Sequence, residues 1–275
     1  MSTTATTYDA ARPDAPSAGL FTSTLVITRR ALTRFFRTPQ EVIAGTATTA
    51  MFMLIFLYVF GGEIDIPGVS YVDFLVPGFL TAAVLFTGMG TAAAVAADLE
   101  EGFVDRVRSL PISRLSFLAG RAVADTGVLV WSLFAGIVIG VVVGFRIHGP
   151  LTDALLAVGL LVVIGFAFIW LFIVLGLFAG TAKGAQGLSF MVFPLSFVSS
   201  AYVRVESLPG VLQPFAEHQP LTVMIDAVRA LTLGPAGEAL LDHSAGFYIT
   251  RSLLWVLGIL VVSIPLAVIR FNRGK

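Results

Sequence analysis

Between Asp153 and Lys183 the chain carries no ionisable side chain. An uninterrupted apolar block of that length exceeds the ~20 helical residues needed to cross a hydrocarbon core. It is not alone: apolar blocks recur at about 42–60, 74–97, 122–144, 153–180, 187–203 and 251–269. Charged residues make up 12% of the chain, against about 25% in an ordinary soluble domain. A soluble fold could not hide so much apolar surface. The blocks are continuous and lack the short alternating pattern of barrel strands. The expectation is an all-α polytopic membrane protein with six transmembrane helices.

The polar segments between the blocks set the organisation. Residues 1–19 are rich in Thr, Ala, Pro and Asp, lack an apolar period and read as a disordered cytoplasmic tail. Residues 20–275 form one transmembrane domain. The first apolar block lies too far into the chain for the start of a typical cleavable leader. In 20–38, Leu20, Phe21, Leu25, Leu32, Phe35 and Phe36 alternate with Arg29, Arg30, Arg34 and Arg37. That mixture fits an amphipathic helix in the membrane interface, with its arginines near anionic headgroups. Pro39 closes it. Residues 204–250 form a large loop with two short amphipathic pieces, about 207–217 and 221–233, read as external re-entrant segments. Pro220 suits the first position of the second piece, where Asp226 and Arg229 fall on its polar face.

Lys and Arg distribution orients the chain. With both termini inside, thirteen of the seventeen basic residues lie on the inner side, and the opposite orientation reverses the ratio. Both termini and the charged stretch 98–121 are therefore expected in the cytoplasm.

Several chemistries lack their residues. There is no cysteine, so no disulfide framework and no thiolate site. His148, His218 and His243 lie far apart in sequence, and no metal-ligand pattern surrounds them. No phosphate-binding loop is present; the cluster from Gly180 to Gly187 lacks the Gly-Lys-Ser/Thr ending. No acid sits clearly at mid-bilayer, where ion-coupled carriers usually hold one. The expectation is a chain that binds no cofactor and draws its energy from another subunit. A membrane-embedded lipid-modifying enzyme is a competing class, for which Glu217, His218 and Asp226 are the nearest approach to a constellation.

The stretch 98–121 reads DLEEGFVDRVRSLPISRLSFLAGR. Gly102 ends one helix, VDRVRSL can form a short amphipathic one, and Pro111 stops it. Val104, Val107 and Leu110 would face the membrane or a partner, leaving Asp105, Arg106 and Arg108 for ion pairs. A basic loop that merely fixes topology fits these features as well.

In the first span, Thr49, Met53, Phe56 and Phe60 form one stripe, suited to lining a path and equally to packing. In the fifth, Ser189, Ser196 and Ser200 share a face beside Pro194. They fit a polar path, or hydrogen bonding between helices around a kink, the latter preferred. Gly136, Gly140 and Gly144 give the third span a small-xxx-small packing face. Arg121 and Asp125, four apart, can pair.

The central stretch also resembles the loop between the second and third spans of ABC-2 type transporter permeases. The resemblance rests on Glu100 and Glu101 with Gly102, then Asp105-Arg106, then Ser109-Leu110-Pro111-Ile112-Ser113-Arg114. A second similarity lies before the last span: Leu208-Pro209-Gly210, Gln213-Pro214, Pro220-Leu221 and Asp226-Ala227-Val228-Arg229. Phe103-Val104 departs from the Thr-Leu common in relatives. The closest flavour is the daunorubicin-resistance-like permease, without a fused ATPase.

The resemblance implies an exporter subunit in a bacterial cytoplasmic membrane, moving a drug-like or lipid-like amphiphile. Export of polysaccharide or a lipid-linked glycan is the alternative within the family. It implies a cytosolic ABC ATPase partner that binds ATP and Mg, a second permease copy or sister permease, and contact with membrane lipids. It calls for no nucleic acid. Glu100, Glu101, Gly102, Asp105, Arg106, Ser109, Pro111 and Arg114 would then couple to the ATPase, and the first, second and fifth spans would wall the pathway.

Overall fold

A computed structural model describes residues 20–64, 66–102 and 114–273. Among the described residues all regular structure is helical. Helix α1 is Leu20–Arg37 and α2 is Pro39–Ile55. A π-helical turn, Phe56–Phe60, continues α2. Helix α3 is Tyr71–Glu100, α4 is Arg114–Val142 and α5 is Leu151–Ala179. Two short helices follow, α6 at Ala182–Phe190 and α7 at Pro194–Phe197. Then come α8 at Gln213–His218, α9 at Pro220–Leu233 and α10 at Pro235–Glu238. The chain closes with α11, Ala245–Arg273.

Five segments are long and apolar enough to cross a membrane: Val42–Phe60, Tyr71–Glu100, Leu115–Val142, Leu151–Ala179 and Ala245–Asn272. They coincide with five of the six expected spans. The remaining one, expected over 187–203, is not one continuous helix. It is broken after Phe190 and again after Phe197, and turns and bends carry it to Arg204.

The cause is local. Pro194 has no N–H to donate, and a helix through it would lose a bond. The Gln219 side-chain amide donates to the carbonyls of Leu195 and Val198, and the Ser199 hydroxyl donates to Ser196 O at 2.6 Å. Freed backbone groups that find such partners let irregular chain persist inside a packed bundle.

The broken segment still follows α3 from end to end. Its Ala182 N–H meets Glu100 at 3.2 Å, and Phe193 meets the Phe86 ring at 5.3 Å. A Cβ at Gly78 would lie 2.3 Å from Ala201 O, and the Tyr71 hydroxyl donates to Tyr202 O at 3.2 Å. The two run antiparallel from the Glu100 end of α3 to its Tyr71 end.

Helix α1 lies lengthwise on α4 and runs in the same direction. Thr28 donates to Gly120 O at 3.2 Å, Leu32 occupies the space a side chain on Gly127 would need, and Phe36 meets the Trp131 ring edge-on. The missing side chain at Gly127 is what admits the contact. Gly136 and Gly140 do the same for Leu80 and Val76 of α3. Gly144 does not pack; it follows the helix with φ +112°, a conformation glycine adopts freely.

Helix α9 is too short to span and is buried from Leu221 to Leu233, against α3, α5 and α11. Asp226 and Arg229 therefore do not lie on an exposed polar face. Neighbouring helices cover every side of α9, and the two charges pair in the interior.

Candidate functional site

Two ends and one gap carry the candidate residues. At the Glu100 end, Glu100 is the last residue of α3 and its carboxylate accepts the Ala182 N–H that opens α6. Glu101 is exposed, and Gly102 takes φ +67°. Arg121 of α4 bonds Asp125 at 2.8 Å and reaches back to Asp98 of α3 at 3.5 Å. The start of the charged stretch is thus tied to α3, α4 and the broken segment at once. Asp105, Arg106, Ser109 and Pro111 lie outside the described residues, as does the Arg114 side chain; the Arg114 backbone opens α4.

The gap lies between α2 and the bundle. A cavity of about 470 Å³ opens there, lined by α2, α3 and α4 with Phe35 of α1 at its edge. Its wall is mainly apolar, with hydroxyls from Thr46, Thr49, Thr87, Thr91 and Ser132, and Arg121 and Asp125 also line it. Thr49 faces this space while its hydroxyl bonds Gly45 O at 3.0 Å.

The expected stripe of the first span turns inward but serves three surroundings. Thr49 lines the cavity and Met53 is fully buried. Phe56 stacks on Tyr202 with centroids 4.1 Å apart, and Phe60, half exposed, stacks on Phe56 at 5.6 Å. The π-helical turn begins at Phe56. Such turns occur often at functional sites.

The three serines are all buried and do not share one environment. Ser196 bonds Phe193 O at 2.8 Å, and Ser200 bonds Asp226 Oδ1 at 2.8 Å. Ser189 Oγ has no hydrogen-bond partner among the described residues.

The Tyr71 end is braced by two networks. Arg229 donates to Asp226 Oδ1 at 3.0 Å, to Ser200 O at 2.8 Å and to Phe74 O at 3.2 Å. Its guanidinium also sits 3.6 Å from the centroid of the Phe74 ring. One side chain thus ties α9 to α3 and to the end of the broken segment. Such a pair in the interior needs its remaining hydrogen bonds met to offset desolvation. In the second network, Ser70 caps α3, accepting the Asp73 N–H at 3.2 Å and donating to Asp73 Oδ2 at 2.7 Å. Asp73 Oδ1 takes the Arg146 N–H at 2.8 Å, while the His148 and Gly149 N–H groups reach Thr232 O. Reasoning from sequence missed Asp73. The signal was there: Ser70-Tyr-Val-Asp73 before an apolar run is an N-cap pattern.

Glu217, His218 and Asp226 do come together, lining a second cavity near Phe74 and Tyr248. His218 Nδ1 lies 2.9 Å from Pro214 O, a local contact with its own short helix.

Long apolar helices, a fully buried half-helix and a broken segment laid along α3 define a multi-pass helical membrane protein. A family model described as ABC-2 type transporter matches residues 22–233. The chain belongs to the ABC-2 type transporter family. It is 32% identical over 216 residues to the daunorubicin resistance ABC transporter permease protein DrrB1 of Streptomyces coeruleorubidus, covering 78% of this chain and 76% of that protein. It is 28% identical over 255 residues to the probable doxorubicin resistance ABC transporter permease protein DrrC of Mycobacterium tuberculosis (strain CDC 1551 / Oshkosh), covering 92% and 90% respectively.

Proposed function

We propose that the chain is the membrane permease subunit of an ATP-binding cassette exporter, moving a drug-like or lipid-like amphiphile outward. The family match over residues 22–233 carries this reading. Relatives named as daunorubicin and doxorubicin resistance permeases favour a drug-like cargo over a glycan, and a permease over a lipid-modifying enzyme. The energy comes from a separate ATPase subunit that binds ATP and Mg. A second permease copy or a sister permease completes the pathway. The complex sits among the lipids of the cytoplasmic membrane, with both termini inside and the broken segment providing the sixth crossing.

In this reading the stretch 98–114 receives the ATPase. Glu100, Glu101, Gly102, Asp105, Arg106, Ser109, Pro111 and Arg114 form the docking element. The ties from Asp98 to Arg121 and from Glu100 to Ala182 support it, because a push there is felt by α3, α4 and α6 together. Thr49, Met53, Phe56 and Phe60 border the pathway from α2, with Ser189, Ser196 and Ser200 behind them. The Asp226–Arg229 pair holds the external end in place while the inner end moves.

The test is co-purification of the tagged chain from its native membrane, with ATP hydrolysis and export assayed. A P-loop ATPase should accompany it. Arg106→Glu should abolish export while leaving membrane insertion intact; normal export in that variant would overturn the docking assignment. The native chain has no cysteine, so single cysteines report topology cleanly. Ser2→Cys should label from the cytoplasm and exposed Ser244→Cys from outside. Labelling of both from one side would defeat the six-crossing arrangement.

A further inference from the structure

The second cavity, about 270 Å³, has features that bracing the fold does not require. It lies where α9 meets the start of α11, at the Tyr71 end of the bundle. Thr222 lies in its wall. That residue is 2% exposed, and its hydroxyl has no hydrogen-bond partner among the described residues. A buried hydroxyl left without a partner costs about 1–3 kcal/mol, so its retention calls for a reason. Asp226 also lines the cavity, and both of its hydrogen bonds fall on Oδ1, which leaves Oδ2 for the cavity.

Acids outnumber guanidinium groups around the cavity by one, and His218 and His243 line it too. Four carboxylates line it against three guanidinium groups. Arg229 is engaged with Asp226, and Arg204 with Glu206 at 3.2 Å. Arg251 lies over the Phe247 ring, 4.6 Å from its centroid. Glu217 and Asp242, both exposed at the rim, have no ion pair among the described residues. Free acceptors and aromatic faces favour a cation with N–H donors.

Beside the cavity, α11 carries an exposed apolar stripe. One turn and two turns beyond Arg251, α11 presents Leu254, Trp255 and Gly258, all exposed. These positions share a helical face with Arg251. A polar pocket at the head of an apolar stripe fits a molecule with a charged head and an apolar tail.

We propose that this cavity binds the ammonium head of an amphiphile whose tail lies along α11. Glu217 and Asp242 draw the cation in, and Asp226 Oδ2 and the Thr222 hydroxyl accept its N–H groups. The ammonium can belong to a cargo molecule leaving the transporter or to an aminophospholipid of the outer leaflet. The site itself does not depend on the export reading, because binding is measured without ATP or an ATPase.

The full chain is placed in nanodiscs of phosphatidylcholine and phosphatidylglycerol, with radiolabelled dodecylammonium as the probe. Binding should be saturable and resist displacement by dodecanol, which shares the tail but carries no charge. Glu217→Gln with Asp242→Asn should weaken it about tenfold, and Thr222→Val about threefold, since charge-assisted hydrogen bonds are the strong ones. Glu63→Gln, an exposed acid outside the cavity, should leave binding unchanged. Equal displacement by dodecanol, or unaltered binding in the Glu217/Asp242 variant, overturns the proposal. Adding phosphatidylethanolamine to the nanodisc separates the two sources. Competition identifies the lipid headgroup as the natural occupant; its absence points to the cargo amine.

Discussion

Helices α2 and α3 are both apolar enough to span a membrane, yet they are held in opposite ways. In α3, 61% of the most apolar stretch is buried inside the chain; in the first span the figure is 6%, with Met53 its one fully buried residue. Helix α3 is gripped by α5, α6 and α9 through close backbone approaches and a buried ion pair. Helix α2 leans on its neighbours across a 470 Å³ cavity and a patch of stacked rings. Hydropathy therefore reports only that a helix belongs in a bilayer. Small residues and buried polar bonds decide whether its neighbours are protein, because lipid tails satisfy an apolar face as well as leucine does. Among the long apolar segments, α3 is as enclosed as any and the first span is the least enclosed.

The largest test of that contrast removes the charge that ties α9 to α3. Arg229→Met leaves Asp226 buried without its cation and should cost about 3–5 kcal/mol in unfolding from detergent. Replacing both partners, Asp226→Leu with Arg229→Met, should recover most of the loss. A single variant as stable as the parent would show that α3 is not braced there. A smaller effect is expected within α3 itself. At Gly78 an added methyl meets the Ala201 backbone, which cannot turn aside, whereas at Gly90 it meets nothing within 4 Å. Gly78→Ala should lose about 1–3 kcal/mol through overpacking. Gly90→Ala should gain up to about 1 kcal/mol from helix propensity. Equal responses at the two glycines would remove the close approach to the broken segment as a source of rigidity.

Much of this was legible in the sequence. Apolar run length located five long helices to within a few residues at most ends, since crossing a bilayer demands continuous apolar helix. The charged stretch and the Asp226-x-x-Arg229 pair stood out because charge is rare in this chain. The break near Pro194 was less legible: proline marks a kink, but whether a helix kinks or stops depends on donors brought from elsewhere. Here Gln219, from a distant loop, supplies two of them. The burial of α9 was hidden for a similar reason. Its amphipathic pattern suggested an exposed polar side, and only the tertiary arrangement shows α3 and the broken segment covering it. The second cavity draws Glu206, Thr222, Asp242 and Arg251 from separate stretches, so no local spacing announced it.

The smallest expected effect on stability falls on α2, and it is the most informative about movement. Thr49 lines the cavity, and its hydroxyl is satisfied within its own helix by Gly45 O. Thr49→Val keeps the shape and removes only a self-contained bond, so the unfolding free energy should change by no more than about 0.5 kcal/mol. Export should respond differently if the gap beside α2 is on the path of the cargo. An apolar methyl in place of the hydroxyl then changes the apparent KM for an amphiphile while leaving ATPase assembly and unfolding as they were. If Thr49→Val instead destabilises the protein as strongly as Gly78→Ala, α2 is packed as tightly as α3 and the contrast between the two helices fails. If stability and export both stay at parental values, α2 remains the loosely held helix and the Thr49 hydroxyl plays no part in the path of the cargo.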